Sequence, residues 1–335
     1  GDTLIAVLVP PKASGFDRAT DCLIAGVRAA HAANGSSFTV EAIEVNDEAQ
    51  RLEETLGTLK ERGFAMAIGP ITRNGANSLL LLERAALPTL ALNLPDGDLP
   101  RAGSRAVFFS LAIESEARQA AAQAFAQALP LATRRKPRAA AIVADNRLGL
   151  RGAVAFSEEW LSLGGEMLDP IEFAGSRPPR DLKSRFGELQ PDVVFAAMAA
   201  EQARNLRRDL GKGMIIWGTS LASIGGSAPI RMAELDGLRL FDMPWLVQPD
   251  SPPAKAYRKA PSSYTPEMQR LYALGIDAFR VTRRLIDGDV AFELDGVTGR
   301  LRFEGQVAPR VDRVSVPVEY RNGRPVPMEP GAGSA

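Results

Sequence analysis

The feature that most constrains this chain is a regular exchange of short apolar runs with helix-period segments. A strand that is apolar along its whole length must be buried on both faces, and the helices of crossover connections bury it. Residues 4–9 form such a run. After the turn Pro10-Pro11-Lys12-Ala13-Ser14-Gly15, the residues Ala19, Cys22, Leu23, Gly26, Val27 and Ala30 recur in steps of three and one and trace one helix face. Residues 38–45 read as a second strand, Leu52, Leu56 and Leu59 mark a second helix, and residues 64–68 make a third strand ending at Gly69-Pro70. A third helix from about 74 to 86 leads into a strand at 87–92.

A second series begins after a strand at 107–109. Ser115 or Glu114 can cap its first helix, which carries the small-residue stripe Ala117, Ala121, Ala124 and Ala128. Strands follow at 139–144, 167–173, 193–197 and 214–217. Between them lie helices carrying Ala153, Phe156, Trp160 and Leu163, then Leu182, Phe186 and Leu189, then Ala203, Leu206 and Leu210. The pattern thus runs twice, changing over near residue 112. It predicts an α/β chain of two lobes, each a mostly parallel sheet flanked by helices. The length of 335 residues agrees, because single cores stop growing at about 250–300 residues.

Gln248-Pro249-Asp250-Ser251-Pro252-Pro253 is too proline-rich for a helix interior and reads as a connector. Thr265-Pro266-Glu267 then supplies a cap, a first-turn proline and an early acid for a long helix, in which Leu271, Leu274, Ala278, Val281 and Leu285 keep three-four spacing. The segments around 299–304 and 314–320 alternate as antiparallel strands do. The expected lobes are residues 1–112 plus 248–290, and 113–247 plus 291–330.

Composition narrows the function. With 45% hydrophobic and 24% charged residues the chain can bury a real core. Its 40 basic and 40 acidic residues balance, so no overall field favours nucleic acid or an anionic membrane surface. The basic cluster Arg134, Arg135, Lys136 and Arg138 reads as a helix end with its connector. No apolar run approaches the ~20 residues that span a bilayer. The start at Gly1-Asp2, running straight into a strand without an initiator Met, suggests a trimmed mature fragment.

Catalytic chemistry finds little footing. One histidine, His31, sits at the end of the first helix, and the one cysteine, Cys22, lies on that helix's apolar face as a packed core thiol. Two such residues cannot build a zinc site. No phosphate-binding glycine loop follows a strand, since Gly69-Pro70-Ile71-Thr72-Arg73-Asn74-Gly75 lacks the lysine and the glycine spacing. Adjacent acids such as Glu158-Glu159 and Glu53-Glu54 diverge on helices instead of flanking a substrate. The reading is a non-enzymatic binding protein without metal or cofactor.

Open α/β sheets hold ligands beyond the carboxyl ends of their strands. The candidates there are Lys12 and Ser14 after the first strand, Thr72 and Asn74 after the third, and Asn93 after the fourth. The second series adds Asp145, Asn146 and Arg147, with Thr219 and Ser220. As a group they are expected to face one cleft. Each alone also fits a helix cap or turn, positions that Ser, Thr, Asn and Asp favour for local reasons.

The order of elements, with Ala65-Met66-Ala67-Ile68-Gly69-Pro70 and then Leu87-Pro88-Thr89-Leu90-Ala91-Leu92-Asn93, resembles the leucine/isoleucine/valine-binding type of periplasmic protein. Three further blocks are similar to the LppC/LpoA-type penicillin-binding protein activators: residues 235–246, ending Asp242-Met243-Pro244-Trp245-Leu246, residues 270–279 and residues 294–301. The resemblance implies the two-lobed type I periplasmic-binding-protein fold, with the lobes joined by crossover hinge strands. It also implies a periplasmic lipoprotein, usually anchored in the outer membrane, that binds and stimulates a peptidoglycan synthase and carries no catalytic residues. The helical-repeat domain and lipidated cysteine of the best-known activators have no counterpart in these residues, and Cys22 fits no lipobox. The amino-acid receptors of the fold imply ligand-carboxylate contacts at Thr72, Ala91 and Asn93. Their second lobe supplies an acid for the ligand's ammonium, whereas Gly218-Thr219-Ser220-Leu221-Ala222-Ser223 has no carboxylate. The alternative is a solute receptor of an ABC importer, binding an amino acid or a related small polar ligand.

Overall fold

The computed structural model describes residues 1–12, 14–46, 49–99, 105–175 and 177–328. The first series forms β1 (Thr3–Val9), α1 (Asp17–Asn34), β2 (Phe38–Glu44), α2 (Leu52–Glu61), β3 (Phe64–Ile68), α3 (Arg73–Leu81), β4 (Thr89–Ala91) and β5 (Ala106–Phe108). These strands make one sheet in the order β2-β1-β3-β4-β5, every pair parallel. Ala6 and Leu8 of β1 pack with Leu52, Leu56 and Leu59 of α2 and Leu79 of α3, while the intervening Ile5 and Val7 are equally buried. Burial on both faces is why β1 reads as an uninterrupted apolar run. Helix α3 stops at Leu81, short of the expected residue 86. Leu82 turns extended, and the following irregular stretch puts Ala85 and Leu87 into the core.

The second series gives α4 (Ile113–Ala128), β6 (Arg138–Ala144), α5 (Arg147–Ser162), β7 (Glu166–Met167), β8 (Ile171–Phe173), α6 (Leu182–Leu189), β9 (Val193–Ala196), α7 (Ala200–Leu210), β10 (Ile216–Trp217), β11 (Arg239–Asp242) and the single turn α8 (Pro244–Val247). The strand expected over 167–173 is two short strands, because Pro170 between them has no N–H to give a ladder. Alternate residues of β6 and β9 serve opposite faces. Ala140, Ile142, Val194 and Ala196 pack with α6 and α7, while Ala139, Val193 and Phe195 pack with α4 and α5. On the latter face Phe156 stacks on Phe195 at 4.5 Å and on Trp160 at 5.6 Å.

The remainder forms α9 (Pro252–Lys255), α10 (Pro266–Ile286), β12 (Ala291–Asp295), β13 (Arg300–Glu304), β14 (Val311–Val314), β15 (Val316–Arg321) and β16 (Arg324–Pro327). Pro244 and Pro252 each open one helical turn from its first position, where a missing N–H costs nothing. Thr265 Oγ1 accepts from Met268 N at 3.3 Å and caps α10 as its sequence predicts. Three-four spacing predicts one buried face for α10, yet every residue from Tyr272 to Phe279 is buried. Helix α1 crosses it where Gly26 and Gly275 meet, and a Cβ on either glycine would overlap backbone of the other helix.

The chain folds as two compact units, residues 1–112 with 249–314, and residues 113–248 with the stretch from 315 onward. Residues 291–314 therefore belong to the first unit, not to the second lobe as expected. Their antiparallel alternation is the same whichever core they cover. The deciding contacts are Asp277 of α10, which binds the β12–β13 turn, and Phe108 N, which donates to Pro309 O at 2.9 Å. Strands β12, β13 and β14 form their own antiparallel sheet. In the second unit the order is β16-β15-β11-β10-β9-β6-β7, with β8 also on β6, and β15 and β16 join antiparallel.

Candidate binding site

In the first unit the candidate residues stand at the carboxyl ends of β1, β3 and β4. Lys12 is exposed, and Ser14 is exposed in a turn closed by Ser14 N donating to Pro11 O at 3.2 Å. The structure brings Thr72 and Asn93 into neighbouring loops. Thr72 Oγ1 caps α3 by accepting from Gly75 N at 3.0 Å. Asn93 Nδ2 donates to Ile71 O at 3.3 Å, and its Oδ1 accepts from Leu94 N at 2.9 Å. Ala91 is fully buried in β4, and its carbonyl accepts from Phe109 N at 2.9 Å. Asn74 lies exposed in the first turn of α3.

In the second unit Asp145, Asn146 and Arg147 are exposed after β6. Asn146 Oδ1 caps α5 by accepting from Gly149 N at 2.6 Å. After β10, Thr219 is wholly buried and its Oγ1 accepts from Leu221 N at 3.4 Å, capping a short 3-10 turn. Thr72, Asn146 and Thr219 thus serve their own backbone.

Sequence reading missed the groups that hold the turn after β10. Glu116, buried in the first turn of α4, takes Ser220 N on Oε1 at 2.8 Å and Ser220 Oγ on Oε2 at 2.9 Å. The strand end that has no acid of its own therefore has one in space, engaged by the protein itself. Ser223 Oγ donates to Asp242 at 2.5 Å, and Met243 N to the other Asp242 oxygen at 2.9 Å. Tyr320 Oη donates to Ala222 O at 2.6 Å and accepts from Ile224 N at 3.1 Å. The signal for Glu116 was its place four residues before the buried Ala120, where a carboxylate needs donors.

A parallel cluster closes the first unit. The fully buried Asp277 accepts from Val297 N at 3.0 Å, Thr298 N at 2.8 Å and Thr298 Oγ1 at 2.6 Å. Burial pushes its carboxyl above the ordinary aspartate range, while Arg280 and the Thr298 and Val297 donors pull it back. Arg313 Nη1 donates to Thr298 O at 3.0 Å. Burial also raises the Cys22 thiol, keeping it protonated. His31 Nε2 donates to Phe38 O at 2.7 Å. Two members of the basic cluster work internally: Arg135 pairs with Asp192 at 2.8 Å, and Arg138 Nη1 donates to Leu189 O at 2.7 Å.

Two grooves border β2, one along its first half and one at its carboxyl end. One, of about 740 Å³, is lined by Asp2, His31, Asn34, Phe38 and Val40. The other, of about 230 Å³, is lined by Ile43, Arg51, Thr55 and Thr58. Among the described residues no helix is long and apolar enough to cross a membrane.

Comparison with known proteins agrees with this architecture. A Penicillin-binding protein activator LpoA from Enterobacter sp. is 26% identical over 329 positions, covering 83% of this chain and 43% of its own length. The Vibrio cholerae protein of the same name is 27% identical over 318 positions, covering 81% and 49%. The chain thus spans about half the length of the curated relatives it matches. Among solved structures, one described as a "putative branched-chain amino acid ABC transporter" from Chromobacterium violaceum has a TM-score of 0.75 at 28% identity, covering 95% of this chain and 100% of that one. The LpoA (YraM) C-domain from Haemophilus influenzae, "a regulator of PBP1A", has a TM-score of 0.73 at 20% identity, covering 98% and 100%. Both share the periplasmic-binding-protein fold. The model of the family described as "LppC putative lipoprotein" matches residues 2–189 and 183–323, and the chain belongs to that family.

Proposed function

We propose that this chain is the partner-binding domain of a periplasmic, outer-membrane-anchored lipoprotein that activates a peptidoglycan synthase of the penicillin-binding protein class. The family match running through residues 2–323, together with relatives named penicillin-binding protein activators, carries this reading. The polar groups at the strand ends support it. Thr72, Asn146, Thr219 and Ser220 direct their side-chain oxygens to helix caps and to Glu116. A small solute would meet these oxygens with one lone pair already engaged and the Ser220 hydroxyl proton already given to Glu116, whereas a protein partner can bind elsewhere on the surface.

The chain acts, on this reading, by contact alone, with no bond made or broken in it. The test is surface-immobilised chain exposed to the purified synthase of its source organism, with saturable binding expected. Absence of binding to the correctly folded chain would overturn the proposal. A solute receptor is the second reading, favoured by the 28% identical transporter structure. It requires a rise in Tm with an amino acid or muropeptide, because a ligand that binds only the folded state stabilises it.

A further inference from the structure

The five-stranded sheet has one edge closed by its own chain and one edge open. At β5, Phe108 N donates to Pro309 O and Phe108 bridges to Arg310. At the other edge, among the described residues, β2 pairs with β1 alone. Thr3 N donates to Ser37 O at 3.0 Å and Val45 N to Val9 O at 2.9 Å, so the odd-numbered residues of β2 turn their backbone groups inward. Val40, Ala42 and Glu44 consequently point their N–H and C=O outward. None of these groups has a hydrogen-bond partner among the described residues. Ala42 and Glu44 are exposed, and the two grooves flank the strand, one on each half.

The surrounding charge selects the occupant. Asp2, Glu41, Glu44 and Glu54 stand along this edge and its grooves against Arg51, Arg62 and Arg283, which lies 5.5 Å over the Phe38 ring; Arg62 is already paired with Glu41 at 3.2 Å, leaving three acids against two bases. A second copy pairing β2 on β2 would meet the same acidic excess instead of a complementary charge. We infer that the open edge of β2 is a docking site for an extended, basic segment of a partner protein, which adds to the sheet as a sixth strand. Outward backbone groups supply the pairing, the grooves take alternate side chains, and the acids select Lys or Arg. The inference does not rest on the activator reading, and its test contains no synthase.

The probe is a dye-labelled eight-residue peptide of alternating Lys and Val. Controls are its Glu-Val counterpart and a Lys-Val peptide N-methylated at alternate amides. Fluorescence anisotropy should show saturable binding of the Lys-Val peptide to the whole chain and none of either control. Ala42→Pro removes one outward N–H without touching the β1 ladder and should weaken binding by about tenfold. Glu44→Lys should weaken it several-fold with the backbone unchanged, and the bound peptide should slow amide exchange at Val40, Ala42 and Glu44. Failure of the Lys-Val peptide to bind would overturn the inference, as would equal binding of the Glu-Val peptide or exchange protection elsewhere. A dimer abolished by Ala42→Pro in sedimentation would replace the basic segment with a second copy.

Discussion

Asp277, Glu116 and Asp242 show how three carboxylates can be spent on architecture. Each is buried, and each gathers donors from a turn distant in sequence. Two of the family-like blocks, residues 270–279 and 294–301, meet through Asp277, and the third holds Asp242. In this chain the resemblance therefore falls partly on internal staples. Asp277 makes a pH prediction. Below the unfolded aspartate pKa of about 3.9 both states hold the proton, and above the raised folded value both have lost it. Between the two only the folded chain keeps it, so the stability Asp277 contributes is lost as pH rises through that interval. Asp277→Asn cannot titrate, and its amide group faces donors. Urea unfolding of both proteins should show the wild-type advantage narrowing from pH 4 to pH 7, whereas a widening advantage would contradict the assignment.

At the scale of elements, the crossing of α1 and α10 depends on Gly26 and Gly275. Gly275→Ala would drive a methyl into the Leu23 carbonyl and part the helices. Overpacking of this kind costs about 1–3 kcal/mol, and a lowered urea midpoint with an unchanged m-value is the expected result. An unaltered midpoint would mean that the crossing can relax without loss. The periodicity of Cys22, Leu23, Gly26 and Val27 made α1 legible, and Thr265-Pro266 made the start of α10 legible, because caps and faces are local properties. Burial of α10 all round was not legible, since it depends on β12–β14 returning over Asp277. The split at Pro170 could have been read from proline alone. The membership of residues 291–314 could not, because two antiparallel sheets ask the same alternation of their strands.

For the whole molecule, the doubled α/β pattern was plain because parallel strands buried on both faces leave short uninterrupted apolar runs such as residues 4–9. The family was legible in three short blocks, and the match over residues 2–323 extends it along the chain. The candidate site was legible only as positions. Sequence placed Thr72, Asn93, Asn146 and Thr219 after strands, but whether such oxygens serve a ligand or their own backbone is decided by atoms a few ångströms away. Glu116 and Ser220, 104 residues apart in sequence, illustrate how far off the deciding partner can be. On the proposed function, this fold regulates a synthase by contact instead of carrying a solute. The most direct test is the rate at which the purified peptidoglycan synthase of the source organism polymerises labelled precursor, measured as this chain is titrated in. A saturable, severalfold rise in rate is the predicted result. An unchanged rate at saturating chain, with a Tm rise on adding an amino acid, would contradict it.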